Sequence, residues 1–411
     1  MEKKNFILDS FKTITSTIIV AFSLQLFAYP TISNTLGSED FGEILSIYTI
    51  ITIVSVVIGN TLNNIRMINV SDFDGNFMYR RFLLILVMSF MVEIFILVFL
   101  FYYFYKIDKI TIFCLLIINM LMILRIYLNV YFRLKLEFSK ILIAAIFQVL
   151  GLAIGILLFK YFEYWVLIFL LSEVCIVSYT VYTLRYLKFK SESKEFKKKS
   201  ILPDYLNLLV SNSLNNVNIY IDRIILLPII GGGAVAISFL ATFIGKIFAT
   251  FMFPINNVIL SYISVKNTNN KKRLYLIVNV YGFFLSVLII LVSYPTTLFI
   301  VEYFYHHNNS EIKPFIILGN IGVFLGVIAT MIQSLNTKYI SISKQTSYVT
   351  IHTILYIILS LILTGIYGLY GFFIITLIAN VIKLSLLTYI GIKDCDTYTP
   401  FEGSRNNVSK Y

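Results

Sequence analysis

The sequence contains little charge and no long polar segment. Only 13% of its 411 residues are charged, whereas 58% are hydrophobic, and the mean hydropathy is +0.85. This composition lies far outside that of soluble domains. The polar stretches between the apolar runs are short, so no separate soluble domain is expected.

Cysteine is scarce as well. Cys114, Cys175 and Cys395 stand far apart, which excludes a disulfide framework or a cysteine metal site by spacing. We expect them to be small, mostly buried apolar side chains.

Catalytic patterns are also missing from the sequence. The three glycines at 231–233 are not followed by the Lys-Ser/Thr pair of a phosphate loop, so a tight turn is their simpler interpretation. There is no nucleotide motif and no ordered pair of carboxylates outside the apolar runs. We therefore predict that the chain is not an enzyme, that it needs no cofactor, and that it holds no metal.

What the sequence has instead is apolar runs of membrane-spanning length. A hydrocarbon core of ~30 Å requires about 20 apolar residues per helix. The predicted spans are 11–31, 41–62, 82–105, 110–130, 141–159, 164–184, 205–230, 234–263, 274–301, 314–335, 348–367 and 369–390. The first is interpreted as a retained helix, because it carries bulky residues and is followed by many further spans. The predicted fold is all-α and integral to the membrane, with twelve transmembrane helices in two six-helix bundles.

Positive charges alternate from loop to loop. Lysines and arginines precede span one, follow spans two, four, six, eight and ten, and recur at the carboxyl terminus. The opposite loops hold only Lys106, Lys109, Lys160 and Lys313. Positive loops face the cytoplasm, so both termini are predicted to be cytoplasmic. The net charge of +12 thus reflects membrane orientation and not a nucleic-acid partner.

The longest polar loop divides the predicted spans into six and six. We predict an amino-terminal lobe at 1–187, a basic cytoplasmic linker at 188–203, a carboxyl-terminal lobe at 204–392 and a cytoplasmic tail at 393–411. A weak repeat supports two halves: when Leu36-Gly37 is aligned with Ile230-Gly231, each half shows a polar helix, a short glycine turn and a second helix. Transporters often contain such repeats.

Apart from Lys12 at the edge of span one, four cations fall inside predicted spans: Arg125, Arg223, Lys246 and Lys383. Charged residues there usually face a bundle interior or a wet cavity. Lys246 shares a helix face with Thr242 near mid-span, and a compact ammonium suits a phosphate, while arginine can fork onto phosphate oxygens. For Arg125 and Lys383, near the cytoplasmic ends of their spans, snorkelling is the alternative.

Polar side chains also recur at helical spacing on spans one and seven. On span seven, a stripe is formed by Ser211, Asn215, Asn218 and Asp222, and Asn212 lies beside it. Span one repeats the pattern with Thr13 and Ser16. These stripes predict a central hydrophilic cleft, and hydrogen bonding between helices is the alternative. Glu93 and Glu173 lie mid-span, where they either pair with cations or take up a proton.

The hairpin of spans seven and eight contains Asp222-Arg223, a glycine turn and AVAISFLATFIGKIFATFMFPINNVI. It resembles the seventh and eighth helices of O-antigen and capsular polysaccharide flippases, in the multidrug/oligosaccharidyl-lipid/polysaccharide exporter superfamily. LGSEDFGEILSIYTII at 36–51 and RLKLEFSKILIAAIF at 133–147 are similar to that family's second-helix entry and its loop between helices four and five. The resemblance implies a MATE-like fold with a V-shaped central cavity.

The resemblance also implies a function. The expected activity is to flip an undecaprenyl diphosphate-linked oligosaccharide across the bacterial cytoplasmic membrane by alternating access, for O-antigen or capsule assembly. Lys246, Arg223 and Arg125 would bind the diphosphate, with Lys383 as a further candidate, and the Asn and Ser stripes the glycan. A polymerase and other polysaccharide assembly proteins are candidate partners, and Na⁺ or H⁺ coupling stays open.

Two alternatives remain at this point. A multidrug or cation antiporter of the same superfamily would share the fold but would need a cation site built on carboxylates. A polysaccharide polymerase would need a large external loop, which the predicted spans do not leave.

Overall fold

The computed structural model describes residues 2–68, 75–185, 202–252, 271–306, 309–340 and 342–394. These residues form helices and short connections, with no strand among them. Most of the predicted basic linker, the predicted tail beyond residue 394 and Cys395 lie outside these ranges. The prediction of an all-α membrane protein is confirmed.

The chain forms two compact units, Met1–Ile224 and Ile225–Tyr411. The first unit holds α1 to α8 and the start of α9, and the second holds the rest of α9 and α10 to α14. The bounds are α1 Glu2–Ser23, α2 Tyr29–Leu36, α3 Ser38–Ile68, α4 Gly75–Phe99, α5 Lys109–Leu134, α6 Phe138–Phe162, α7 Val166–Leu184, α8 Leu202–Ile219, α9 Ile221–Ile229, α10 Gly232–Ala241, α11 Phe243–Met252, α12 Lys271–Ile300, α13 Asn309–Tyr339 and α14 Ile342–Asp394. Short π-helical turns join α1 to α2 and end α4 and α12, at Leu24–Ala28, Leu100–Phe104 and Val301–Tyr305.

Nine of the described helical stretches are long and apolar enough to cross a membrane, and the bent pair α10–α11 adds a tenth. One of the nine, α14, is a hairpin: Tyr356 hydrogen-bonds Thr376 (2.8 Å), and His352 Nε2 lies 2.8 Å from the Ala379 carbonyl oxygen. The chain reverses at Gly368, whose backbone is non-helical (φ 58°, ψ −142°). The predicted boundary between spans eleven and twelve is confirmed.

The predicted seventh span is not one continuous helix. It is broken at Tyr220, between α8 and α9. In the first half of the chain, the π-helical turn Leu24–Ala28 interrupts the equivalent span before α2. Gly37 (φ 91°) and Gly231 (φ 118°) then form the two turns, in a region of backbone conformation that glycine adopts without strain. The aligned glycines therefore share a local structure as well as a sequence pattern.

Each unit buries its own apolar core. In the first, Leu62, Phe82 and Val130 are fully buried in one cluster; in the second, Tyr275 and Ile332 are. Large apolar side chains cover the outer faces of the helices, as expected where the solvent is lipid.

Helices α6 and α7 pack backbone to backbone at Gly151 and Gly155. A Cβ on Gly151 would lie 2.5 Å from the Leu171 carbonyl oxygen, and one on Gly155 would lie 2.6 Å from the Ile168 Cα. Two glycines four residues apart allow such an approach in membranes, where dispersion contacts drive helix association.

Gly155→Leu is therefore expected to destabilise the protein by about 2–3 kcal/mol or more, because the opposing atoms are backbone and cannot move aside. Ala153→Leu is the matched control, since Ala153 lies exposed on the same helix. Thermal unfolding of the purified variants in detergent measures the difference. Equal midpoints for the two variants would contradict this packing.

Candidate functional site

The Arg125 guanidinium of α5 is bound to a carboxylate on α7. Its Nε donates to Glu173 Oε2 (2.7 Å) and its Nη2 to Glu173 Oε1 (3.1 Å). Gln148 of α6 donates to the same Oε1 (3.1 Å). The Glu173 side chain is 1% exposed and that of Arg125 18%. Of the two roles considered for Glu173, pairing with a cation is confirmed. Arg125 binds this carboxylate through two nitrogens instead of snorkelling along its helix.

Arg223 lies at the start of α9 and is buried. Its Nη1 donates to the Thr49 hydroxyl of α3, and its guanidinium lies 5.5 Å from the centre of the Tyr220 ring. Ser46, one turn before Thr49, donates to the Arg223 carbonyl oxygen (3.3 Å). The break at Tyr220 is thus bound to α3 through both the side chain and the backbone of Arg223.

Lys246 lies on α11, one turn after a second break. Helix α10 ends at Ala241, Thr242 leaves helical geometry, and α11 continues at an angle of 59°. The Lys246 side chain is half-buried. Thr242, predicted to share its face, and Thr250, one turn after Lys246, donate their hydroxyl hydrogens to carbonyls of their own helical segments.

Asn320 of α13 bridges this second break. Its amide nitrogen donates to the Ala241 carbonyl oxygen (2.8 Å), and its Oδ1 accepts from the Gly245 backbone N–H (2.8 Å). Asn320 is fully buried. Both backbone groups that the bend releases beside it are therefore satisfied by one side chain, as a break at membrane depth requires. Asn320 was not predicted as a functional residue from the sequence, where its signal is a lone amide in the apolar stretch ILGNIG.

The polar stripe of span seven does not form one continuous face. The break at Tyr220 places Asp222 on a different helix from Asn212 and Asn218. Asn212 donates to Thr61 of α3 (2.9 Å), which is the helix-to-helix contact considered as an alternative. Asn218 is half-buried, and the side chains of Ser211 and Asn215 lie outside the described part of the structure.

On span one, the hydroxyls of Thr13 and Ser16 donate to carbonyls of their own helix, those of Asp9 and Thr13. Lys383 is half-buried on the second arm of α14, close enough to interact electrostatically with His352. His352 itself bonds the Ala379 carbonyl oxygen across the hairpin, which is a packing role.

The candidate cations fall in both units. Arg125 and Arg223 belong to Met1–Ile224, and Lys246 and Lys383 to Ile225–Tyr411. Each unit thus contributes candidate ligands for an anion, and a site shared by them stays a prediction.

The fold is similar to the folds of several solved structures. The chain is similar to the lipid II flippase MurJ in an inward closed conformation, with a TM-score of 0.69 and 19% identity over 94% of this chain and 87% of that one. It is also similar to MATE in a bent conformation (0.66, 14%, 96% of each chain) and to an outward-facing multidrug resistance MATE family transporter of the MOP superfamily (0.64, 15%, 95% and 97%). The chain has the MATE and MurJ fold. No protein-family model and no curated protein matches the sequence.

These similar structures are a flippase and multidrug transporters, not enzymes, in agreement with the prediction that the chain is not an enzyme. The superfamily fold suggested by the sequence is confirmed. The assignment to O-antigen or capsule flippases within it stays a prediction.

Glu173→Gln is expected to cost about 3 kcal/mol of stability, because it leaves the Arg125 cation buried beside a neutral amide. The double variant Arg125→Met/Glu173→Gln removes both charges and should recover most of the loss. Thermal unfolding of the single and double variants gives the coupling energy. A single variant as stable as the parent would contradict the ion pair.

Asn320→Leu is expected to cost about 2 kcal/mol and to expose the break, because the Ala241 carbonyl and the Gly245 amide lose their partner. Asn336→Leu is the matched control: Asn336 lies on the same helix, equally buried, and bonds Tyr275 and Leu387 instead. Hydrogen exchange of peptides covering 241–250 should accelerate only in Asn320→Leu. Equal exchange in the two variants would show that Asn320 does not hold the break.

Proposed function

We propose that the chain is a flippase that carries an undecaprenyl diphosphate-linked oligosaccharide across the bacterial cytoplasmic membrane by alternating access. The observation that carries the proposal is the position of Lys246, a half-buried ammonium one turn beyond the break in the α10–α11 pair. Broken helices in transporters commonly form substrate sites, because backbone irregularity at membrane depth occurs where protein or a cavity surrounds it.

The chemistry of the substrate class fits the side chains. A diphosphate buried in a low-dielectric region needs cations, and lysine meets phosphate as a point charge. Of the cations in the first unit, Arg125 is neutralised by Glu173 and Arg223 is bound to Thr49. Lys246 is our first candidate for the diphosphate because it lies one turn beyond the break between α10 and α11, and Arg223 is the second if the α3 contact opens.

Sugars would be bound differently. Hydroxyl-rich glycans are recognised by hydrogen-bonding walls, which the polar residues of α1 and α8 supply in this proposal. The similarity to the lipid II flippase MurJ supports a lipid-linked substrate in general. Membership of an O-antigen or capsule pathway, with a polymerase as partner, belongs to the proposal alone.

A multidrug cation antiporter is the second candidate, favoured by the similarity to MATE transporters. It would require carboxylates available to an organic cation. Glu173 is already engaged by Arg125, and Glu93 is enclosed in this conformation, at 4% exposed; both observations weigh against this candidate.

Lys246→Gln is expected to weaken binding of an undecaprenyl diphosphate-linked disaccharide to the purified protein by about 10-fold or more, the loss of one charge-assisted contact. Lys313→Gln is the matched control, because Lys313 is exposed at the start of α13 and carries the same charge. Binding is measured by fluorescence with a labelled lipid, with ethidium as the competing class of ligand. Binding of ethidium but not of the lipid would replace the flippase by the antiporter.

A further inference from the structure

Helix α4 buries a carboxyl group that the proposed substrate site does not use. Glu93 is 4% exposed, and neither of its carboxyl oxygens has a hydrogen-bond partner among the residues that the structure describes. Its neighbours on the helix, Val92 (63% exposed) and Phe95 (76%), face outward. Glu93 instead lies on the inner face with Leu97 and Phe101, spaced four residues apart and fully buried.

Cations are remote from this carboxyl among the described side chains. Arg66 of α3 lies beside the rings of Phe82 and Tyr131, and Phe82 is about 16 Å along α4 from Glu93 at 1.5 Å per residue. Tyr127 and Tyr131 of α5 bond each other at that same level. In the other direction Glu43 of α3 interacts with Tyr105, more than three turns away.

The titratable group near Glu93 is Tyr205 of α8. It interacts electrostatically with Glu93, but its hydroxyl is engaged with the Ser89 hydroxyl (2.7 Å), one turn along α4 from Glu93. An ionised carboxylate needs donors or a cation in such surroundings. The described side chains supply Glu93 with neither.

We propose that Glu93 is a proton-binding site, carrying its proton in this conformation and releasing it to water when α4 and α8 separate. The transported charge is the proton alone: the carboxylic acid becomes a carboxylate and the proton enters bulk water. Because the Tyr205 hydroxyl is already engaged by Ser89 in this conformation, ionised Glu93 needs water as its hydrogen-bond donor, so proton release requires α4 and α8 to open and admit water. The proposal deepens the proposed function, on which it rests for its role in transport.

A conformation that buries neutral Glu93 holds one proton more than a conformation in which the carboxylate is hydrated. Lowering the pH therefore shifts the population toward the structure described here, and raising the pH favours the open state. Substrate movement coupled to this equilibrium would respond to a pH difference across the membrane.

Infrared difference spectroscopy of the purified full-length protein tests the site without any substrate. The parent protein is expected to show a protonated-carboxyl band at neutral pH that Glu93→Gln lacks. Glu311→Gln, at an exposed carboxyl on α13, should retain the band, as should Glu93→Asp. An identical band in the parent and in Glu93→Gln would overturn the proposal.

Transport tests the coupling separately. In phosphatidylethanolamine and phosphatidylglycerol vesicles, uptake of the labelled undecaprenyl diphosphate-linked disaccharide should change at least several-fold with an imposed pH difference in the parent and in Glu311→Gln, but not in Glu93→Gln. Retained pH response in Glu93→Gln would overturn the coupling. If the parent shows the infrared band and moves protons but no lipid, the proton site stands and the flippase proposal fails.

Discussion

Hydrocarbon cannot form hydrogen bonds with a backbone amide or carbonyl. The protein itself therefore has to satisfy the backbone groups that each helix break leaves unpaired. At the bend between α10 and α11 the repair is one side chain, Asn320, which donates to the Ala241 carbonyl and accepts from the Gly245 amide. At Tyr220 the backbone pairs locally, since the Tyr220 N–H donates to the Val217 carbonyl (3.2 Å) and the Arg223 N–H to the Tyr220 carbonyl (3.1 Å), while Ser46 and Thr49 of α3 hold Arg223 in place. The two irregular places next to candidate cations are therefore specified by polar residues elsewhere in the chain.

The same constraint explains which features the sequence predicts well. Spans follow from length and hydropathy, and the reversal at Gly368 follows from a glycine between two apolar runs. The turns at Gly37 and Gly231 could be predicted because each is marked by neighbouring residues in the sequence, Leu36-Gly37 and Ile230-Gly231. Breaks are harder to predict, since Asn320 and Ala241 are 79 residues apart and nothing local at Thr242 marks the bend.

The candidate site shows a similar limit. The sequence indicated the candidate cations Arg125, Arg223, Lys246 and Lys383, but not which groups they bind. Arg125 and Glu173 are separated by 48 residues, and only the packing of α5 against α7 shows that they neutralise each other. The charge of a span is thus a poor measure of the charge available to a substrate. The packing gives these cations different surroundings. Arg125 is paired with Glu173, Arg223 is bound to α3, and Lys246 lies beside a helix break.

The hydroxyls of α1 have a consequence for selectivity. Thr13 and Ser23, both half-buried, each donate their hydrogen to a carbonyl of their own helix, at 3.0 and 2.8 Å. Because that hydrogen is already donated, the hydroxyl oxygen can act only as a hydrogen-bond acceptor toward a ligand. Such hydroxyls can accept hydrogen bonds from the O–H and N–H groups of a ligand, but they cannot donate a hydrogen bond to its oxyanions. Along α1, discrimination would therefore depend on the donor hydrogens of a passing molecule.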